Sequence, residues 1–155
     1  MVLPGIIFQS AAAPSSEKLN ETAKDFIRQG DYANAILVLN RSLQLDPQNT
    51  GAAKDLALSY FYKGDNANAL RVIIPLLDRN DADDQIFQIA GSIYKQAGNV
   101  KEGENLYKKG LKKFPTSGPL YNELGELQAT DKNPDAIKTW EKGIQKDPSF
   151  SKNYY

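Results

Sequence analysis

The stretch FQIAGSIYKQAGNVKEGENLYKKGLKKFP, residues 87–115, is typical of two amphipathic helices joined by a tight turn. In its first part the apolar or small side chains recur at helical spacing, at Phe87, Ala90, Gly91 and Tyr94. Gly98 suits the positive φ that ends a helix, and Asn99 can cap the helix that follows. Pro115 ends the second helix because proline lacks the amide donor that a helix needs.

This arrangement recurs with a period of 34 residues. Glycine stands at the turn in three copies and is followed by aspartate or asparagine, at Gly30-Asp31, Gly64-Asp65 and Gly98-Asn99. The same spacing relates an aromatic column before the turn and a small column after it: Phe26, Tyr60 and Tyr94, then Ala35, Ala69 and Gly103. A fourth copy lacks one residue in its turn and keeps Tyr121, Leu124, Ala136, Trp140 and Pro148 in register. Columns shared by four copies predict a repeat array of helix pairs.

Two prolines predict local departures from the regular unit. In the fourth turn, Asn133 is expected to be the N-cap, with Pro134 at the first helical position and Asp135 in the first turn. Pro75 falls inside the second helix of the second unit and is expected to kink or shorten that helix near Ile74.

The composition argues against several classes of function. The 155 residues have a formal net charge of zero, which predicts neither nucleic-acid binding nor attraction to an anionic membrane. No apolar run reaches the roughly 20 residues of a membrane-spanning helix. The chain has no cysteine and no histidine, so thiolate or imidazole metal sites and Ser-His or Cys-His catalysis are excluded. The acidic run at 78–84 lacks the glycine and the distal glutamate of a calcium loop. We therefore expect no enzyme activity, no cofactor and no bound metal.

The repeat resembles the tetratricopeptide repeat, and the resemblance covers residues 16–150. Departures from that pattern are Thr22 in place of leucine, Asp81 in place of the closing proline, and Gln128 in place of an aromatic residue. The resemblance implies an all-α, right-handed α-solenoid with about four units, at 16–49, 50–83, 84–117 and 118–150. It also implies that the first helix of each unit lines a concave groove.

The two ends of the chain fall outside the four units. Residues 1–15 are interpreted as an N-terminal arm or a signal-peptide remnant, because an apolar stretch precedes an Ala-rich segment. This stretch favours an exported or periplasmic protein over a cytoplasmic one. Residues 151–155 are interpreted as the start of a further repeat or of a capping helix, and the chain as a fragment or as a protein that borrows a cap from another chain.

The residues on the far side of each first helix from its packing stripe are predicted to line the groove. The lining is expected to be apolar at its centre, basic at one end and acidic at the other. It consists of Lys24, Ile27, Arg28, Asp55, Leu58, Phe61, Tyr62, Ile89, Ser92, Lys95, Gln96, Asn122 and Glu126. Such a surface suits an extended peptide or a helix of a partner protein, anchored by rings and steered by charge. Phe61 and Tyr62 have alternative roles, in packing between first helices and in covering the turn.

One subfamily of these domains clamps the C-terminal carboxylate of chaperone tails with a set of Lys, Asn and Arg residues. The matching positions here are Asn20, Lys24, Asp55, Gln85 and Ile89, of which only Lys24 is a cation. The resemblance therefore predicts that this chain does not bind chaperone tails.

Two other functions remain open beside the groove scaffold. The solenoid ends could mediate self-association to a homo-oligomer, with apolar surface supplied by Trp140, Ile144, Tyr154 and Tyr155. The chain could also be the non-catalytic portion of a larger enzyme or sensor.

Overall fold

The computed structural model describes residues 12–153 and contains no strand within them. Eight α-helices follow one another in this part of the chain. They are α1 (Ser16–Arg28), α2 (Tyr32–Leu45), α3 (Thr50–Tyr62), α4 (Asn66–Ile73), α5 (Asp84–Gln96), α6 (Val100–Lys113), α7 (Gly118–Thr130) and α8 (Ala136–Lys146). Short 3-10 helices occupy Ile74–Leu76 and Pro148–Asn153. The predicted all-α fold of helix pairs is confirmed.

The helices pack as four antiparallel pairs that stack in chain order. Each odd-numbered helix contacts the next odd-numbered one, α1 with α3, α3 with α5 and α5 with α7, whereas the even-numbered helices of the described residues make no comparable contacts. The odd-numbered helices, called first helices below, therefore lie on the inner side of the curve, and the even-numbered second helices lie on its outer side. The core runs along the stack between them as two adjoining clusters of buried side chains.

Three of the four turns close in the same way. Gly30, Gly64 and Gly98 have φ of 74°, 82° and 80°, the left-handed conformation that glycine adopts without cost. The next amide then donates back to the aromatic column, for example from Asn99 N to Tyr94 O at 2.8 Å. The predicted turn role of these glycines is confirmed, as is the predicted capping by Asp31, Asp65 and Asn99.

The fourth turn keeps this geometry without glycine. Lys132 stands in the glycine position with φ of 56°, and Asn133 N donates to Gln128 O at 2.8 Å. The prediction that Asn133 caps the last helix is wrong. Its Oδ1 instead accepts from Asp135 N at 3.0 Å, which closes a turn over Pro134 and delays α8 until Ala136.

Pro75 has the predicted effect. The regular helix α4 ends at Ile73, and Pro75 lies within the 3-10 helix Ile74–Leu76 that replaces its last turn. Leu76 and Leu77 are buried directly beyond it, so the shortened helix still closes over the core.

Each helix pair has one small residue on its first helix and one large residue at a corresponding position of its second helix. The pairs are Ala23 with Leu39, Ala57 with Ile73, Gly91 with Tyr107, and Gly125 with Trp140. A Cβ on Gly91 would lie 2.2 Å from Tyr107 Cε1, and a Cβ on Gly125 would lie 2.2 Å from Trp140 Nε1. Alanine thus accompanies an aliphatic side chain in the same core cluster, and glycine faces an aromatic ring that needs the extra room.

This complementarity predicts that Gly91→Ala destabilises the fold by about 1–3 kcal/mol, because the added methyl group overlaps the Tyr107 ring. Tyr107→Leu in the same chain should recover part of that loss, since Ala with Leu is the pair found at Ala23 and Leu39. Urea denaturation of both single variants and of the double variant measures the coupling. Purely additive effects would contradict this account of the pair.

The strained turn predicts a stabilising substitution. Lys132→Gly should raise the free energy of unfolding by about 0.5–1 kcal/mol, because glycine adopts a positive φ without the steric cost that lysine incurs. Lys24→Gly, in the exposed middle of α1, serves as the control and should lower stability by about 1 kcal/mol. Equal effects of the two substitutions in urea denaturation would refute the role of the turn.

Candidate protein-binding groove

The groove-lining residues predicted from the sequence differ in how far they reach the surface of the first helices. The exposed ones are Lys24, Arg28, Tyr62, Lys95, Gln96 and Glu126, and the half-buried ones are Ile27, Asp55, Leu58, Phe61, Ser92 and Asn122. The prediction that Ile89 lines the groove is wrong, because this residue is only 6% exposed and belongs to the core. It lies on α5, which packs between α3 and α7, and the contact among these helices encloses it. Leu58 and Phe61 also pack against this core.

Tyr62 is the exposed ring among the predicted groove residues, with 56% of its surface accessible. Its ring stacks on Tyr32 with a centroid separation of 5.2 Å, and it meets Phe61 at 5.5 Å. Tyr32 opens α2 of the preceding pair, so Tyr62 lies along the edge formed by the turns. Tyr32 was not among the residues predicted from the sequence, where its only signal is an aromatic residue directly after a turn.

A hydrogen-bonded chain crosses the inner surface between the third and fourth pairs. The Tyr107 hydroxyl donates to Glu123 Oε2 at 3.3 Å, and the Ser92 hydroxyl lies 3.1 Å from the Tyr107 oxygen. Lys95 Nζ approaches the same Glu123 oxygen to 3.9 Å. Tyr107 comes from a second helix and reaches the inner side past Gly91. In the sequence, Gly91 is the signal that a large side chain can cross the helix pair. That the Tyr107 hydroxyl reaches the inner side was not predicted.

Burial perturbs the pKa of the two acidic groups in this hydrogen-bonded network. It raises the pKa of the Glu123 carboxyl, against the opposing effect of Lys95, and it strongly raises the pKa of the Tyr107 hydroxyl. Tyr107 therefore stays protonated at neutral pH and remains a hydrogen-bond donor. Glu123 carries its charge at a cost, which the bond from Tyr107 reduces.

Acidic partners within the chain balance the cations near the start of the groove. Arg28 pairs with Asp25 on the same helix, and Lys54 Nζ bonds Asp83 Oδ2 at 2.7 Å. Burial raises the pKa of the Asp55 carboxyl, an effect that Lys24 and Lys54 oppose. At the predicted basic end of the groove, Arg28 and Lys54 are therefore paired with acidic side chains, while Lys24 remains exposed.

The other predicted residues are placed as follows. At the positions matching the chaperone-tail clamp, Asn20 Oδ1 accepts from Ser42 at 2.5 Å and Ile89 is buried. Trp140 is half-buried against Gly125, and Ile144 is also half-buried. Tyr154 and Tyr155 lie outside the described residues. Self-association through these residues stays a prediction.

Neither a metal centre nor a membrane span is found in the part of the chain that the structure describes. Residues 12–153 contain no group of three or more acidic side chains placed to hold a metal ion. None of the helices formed by these residues combines the length and the apolar character needed to cross a bilayer.

The half-buried Glu123 carboxyl predicts a pH-dependent stability. Because the folded pKa of Glu123 lies above its unfolded value, the native state binds the proton more tightly, and stability falls as pH rises between the two values. Glu123→Gln removes this loss, so its stability relative to the unmodified chain should increase from pH 4 to pH 7. Urea denaturation across that range tests this, with exposed Glu141→Gln as the control. A difference that does not change with pH would exclude the effect.

The helix pairs, the inner surface of first helices and the continuous core define an α-solenoid built from helical repeats. Residues 26–93 match the family model described as Tetratricopeptide repeat. This match and the 34-residue period support the assignment of tetratricopeptide repeats to this part of the chain. Proteins of this family generally mediate protein–protein interactions.

Two human proteins show sequence similarity over part of their length. Aspartyl/asparaginyl beta-hydroxylase is 29% identical over 117 residues, which cover 74% of this chain and 15% of that protein. The antiviral innate immune response effector IFIT1 is 29% identical over 91 residues, 59% of this chain and 19% of that protein. The chain thus spans less than a quarter of the length of these relatives.

Solved structures share the fold at low sequence identity. MamA from Desulfovibrio magneticus RS-1, residues 41 to the end, superposes with a TM-score of 0.74 at 20% identity, covering 87% of this chain and 77% of that one. TTC0263, a thermophilic TPR protein of Thermus thermophilus, gives 0.72 at 17% identity, with 84% and 74% covered. These similarities establish the α-solenoid.

Proposed function

We propose that this chain is a protein-interaction scaffold that binds an extended peptide or a helix of a partner protein in the concave groove. The observation that carries the proposal is the exposed Tyr62 ring, already held in place by its stack on Tyr32. Tyrosines that are rigid before binding contribute contact area at little entropic cost and are enriched at interfaces.

The polar groups of the groove support binding rather than catalysis. The perturbed groups Tyr107 and Glu123 bond each other, and the pKa of Asp55 is raised by burial beside lysines. Lys24, Gln96 and Glu126 remain exposed along the same surface and are available to fix the register of a bound segment. We therefore infer an interaction role, without catalysis or cofactor, for this part of the solenoid.

Site-specific photocrosslinking tests which face of the solenoid meets the partner. Benzoylphenylalanine at Gln96, or at Arg28, should crosslink a protein from an extract of the source cells. The same probe at Leu37, which is 68% exposed on second helix α2, should not. Adding Tyr62→Ala should reduce the yield at the groove positions by about tenfold, the loss typical of one interfacial anchor. Crosslinks from Leu37 alone would disprove the groove.

A further inference from the structure

The outer face carries a cavity that neither the repeat pattern nor the groove explains. It lies between the second helices α6 and α8, above α7, and has a volume of about 620 Å³. Its floor is apolar and includes Leu111, Tyr121 and Leu124, while lysines form much of its rim. A cavity of this size is large enough for a bulky side chain and the backbone that carries it.

Neighbouring helix pairs meet at three junctions. The cavity exists because the side chains that fill the space at the first two junctions are missing at the third. Between the first and second pairs the space is bridged by Leu43, Tyr60 and Val72, and between the second and third pairs by Leu77, Tyr94 and Leu106. The corresponding residues at the last junction are Leu111, Gln128 and Thr139. An aromatic ring and an aliphatic side chain are thus replaced by an amide and a hydroxyl.

The two polar replacements bond each other and leave room above them. Thr139 Oγ1 donates to Gln128 Oε1 at 2.6 Å, and Gln128 is only 5% exposed. No other hydrogen bond of the Gln128 side chain is found within the described residues, so its Nε2 donor is available to a carbonyl oxygen. A segment that enters the cavity therefore meets one directional polar group on an apolar floor.

The rim is positively charged although the whole chain has no net charge. Five lysines line the cavity, Lys108 and Lys112 from α6 and Lys138, Lys142 and Lys146 from α8, together with the single acid Asp135. Lys108 pairs with Glu104 at 2.7 Å, whereas the other four form no ion pair within the described residues. Such a cluster attracts a negatively charged partner and repels a basic one.

We propose that this outer cleft binds an acidic protein segment that inserts one bulky apolar side chain, in the place that Tyr60 and Tyr94 fill at the other junctions. The carboxylates of the segment pair with the lysines, and the inserted side chain covers Leu111 and Leu124. The apolar floor distinguishes this partner from a phosphate polymer, which would use the lysines alone. The cleft is separate from the concave groove, so the two surfaces can be occupied together.

Fluorescence anisotropy with labelled peptides tests the proposal. The probe is an eleven-residue peptide of Glu and Asp with one central Trp, and its matched control has Ala in place of Trp. The Trp peptide should bind at least about tenfold more tightly than the Ala peptide, because only the former fills the floor. Binding of both should weaken as salt is added.

Two pairs of substitutions separate the filling from the charge. Gln128→Tyr with Thr139→Leu restores the filling of the other junctions, and should raise the thermal midpoint while reducing Trp-peptide affinity to that of the Ala peptide. Lys138→Glu with Lys142→Glu should abolish binding of both peptides. Lys63→Glu with Lys101→Glu, exposed lysines outside the cleft, is the charge-matched control and should retain tight Trp-peptide binding. Thr139→Leu alone is the milder filling variant, should the double substitution not fold.

Several outcomes would overturn the proposal. One is equal affinity for the Trp peptide, the Ala peptide and a single-stranded oligonucleotide, which would identify a general polyanion surface. Another is tight Trp-peptide binding that survives the filling substitutions, which would place the anchor elsewhere. Absence of binding to the unmodified chain at millimolar peptide, or unchanged NMR signals of the Leu111 and Leu124 methyl groups on titration, would also refute it.

Discussion

The contact between a glycine of the first helix and an aromatic ring of the second helix constrains the packing of the last two pairs. It contributes to how closely the two helices of a pair approach, and thereby to how the pairs stack. Where the small residue is glycine, an aromatic ring can cross the pair, as Tyr107 does past Gly91. Where it is alanine, as at Ala23 and Ala57, the partner is aliphatic and buried.

That crossing ties the core of the solenoid to its candidate binding surface. Tyr107 is fully buried, yet its hydroxyl bonds Glu123 and Ser92 on the inner side. The inner surface of the last two pairs is thus positioned by a residue of an outer helix. A change in the packing of that ring would shift the polar groups of the candidate surface, even though Tyr107 itself has no exposed surface.

The sequence predicts the fold well because its signals are local. Glycine at a turn and proline in a helix impose backbone geometry on their own, so the three glycine turns and the shortening at Pro75 follow directly. The burial of a side chain cannot be predicted in the same way. The helical period indicates which face of the helix a residue occupies, but not how closely a neighbouring helix covers it. Ile89 was therefore placed in the groove although α5 buries it, and the stack of Tyr62 on Tyr32 depends on a rotamer that no spacing reveals.

Departures from the repeat have consequences that a single column cannot show. Considered alone, Gln128 predicts only a weakened contact. In the structure it bonds Thr139, which occupies the aliphatic position opposite it, so two packing side chains are lost together. Both substitutions fall at one junction, and together they open a space whose rim is lysine-rich. Each loss of packing costs stability by itself. Together they leave a cavity with a hydrogen-bonded polar pair at its base, which is the kind of space that a bound segment can fill. The repeat thus provides its own internal reference, because the filled junctions show what the open one lacks.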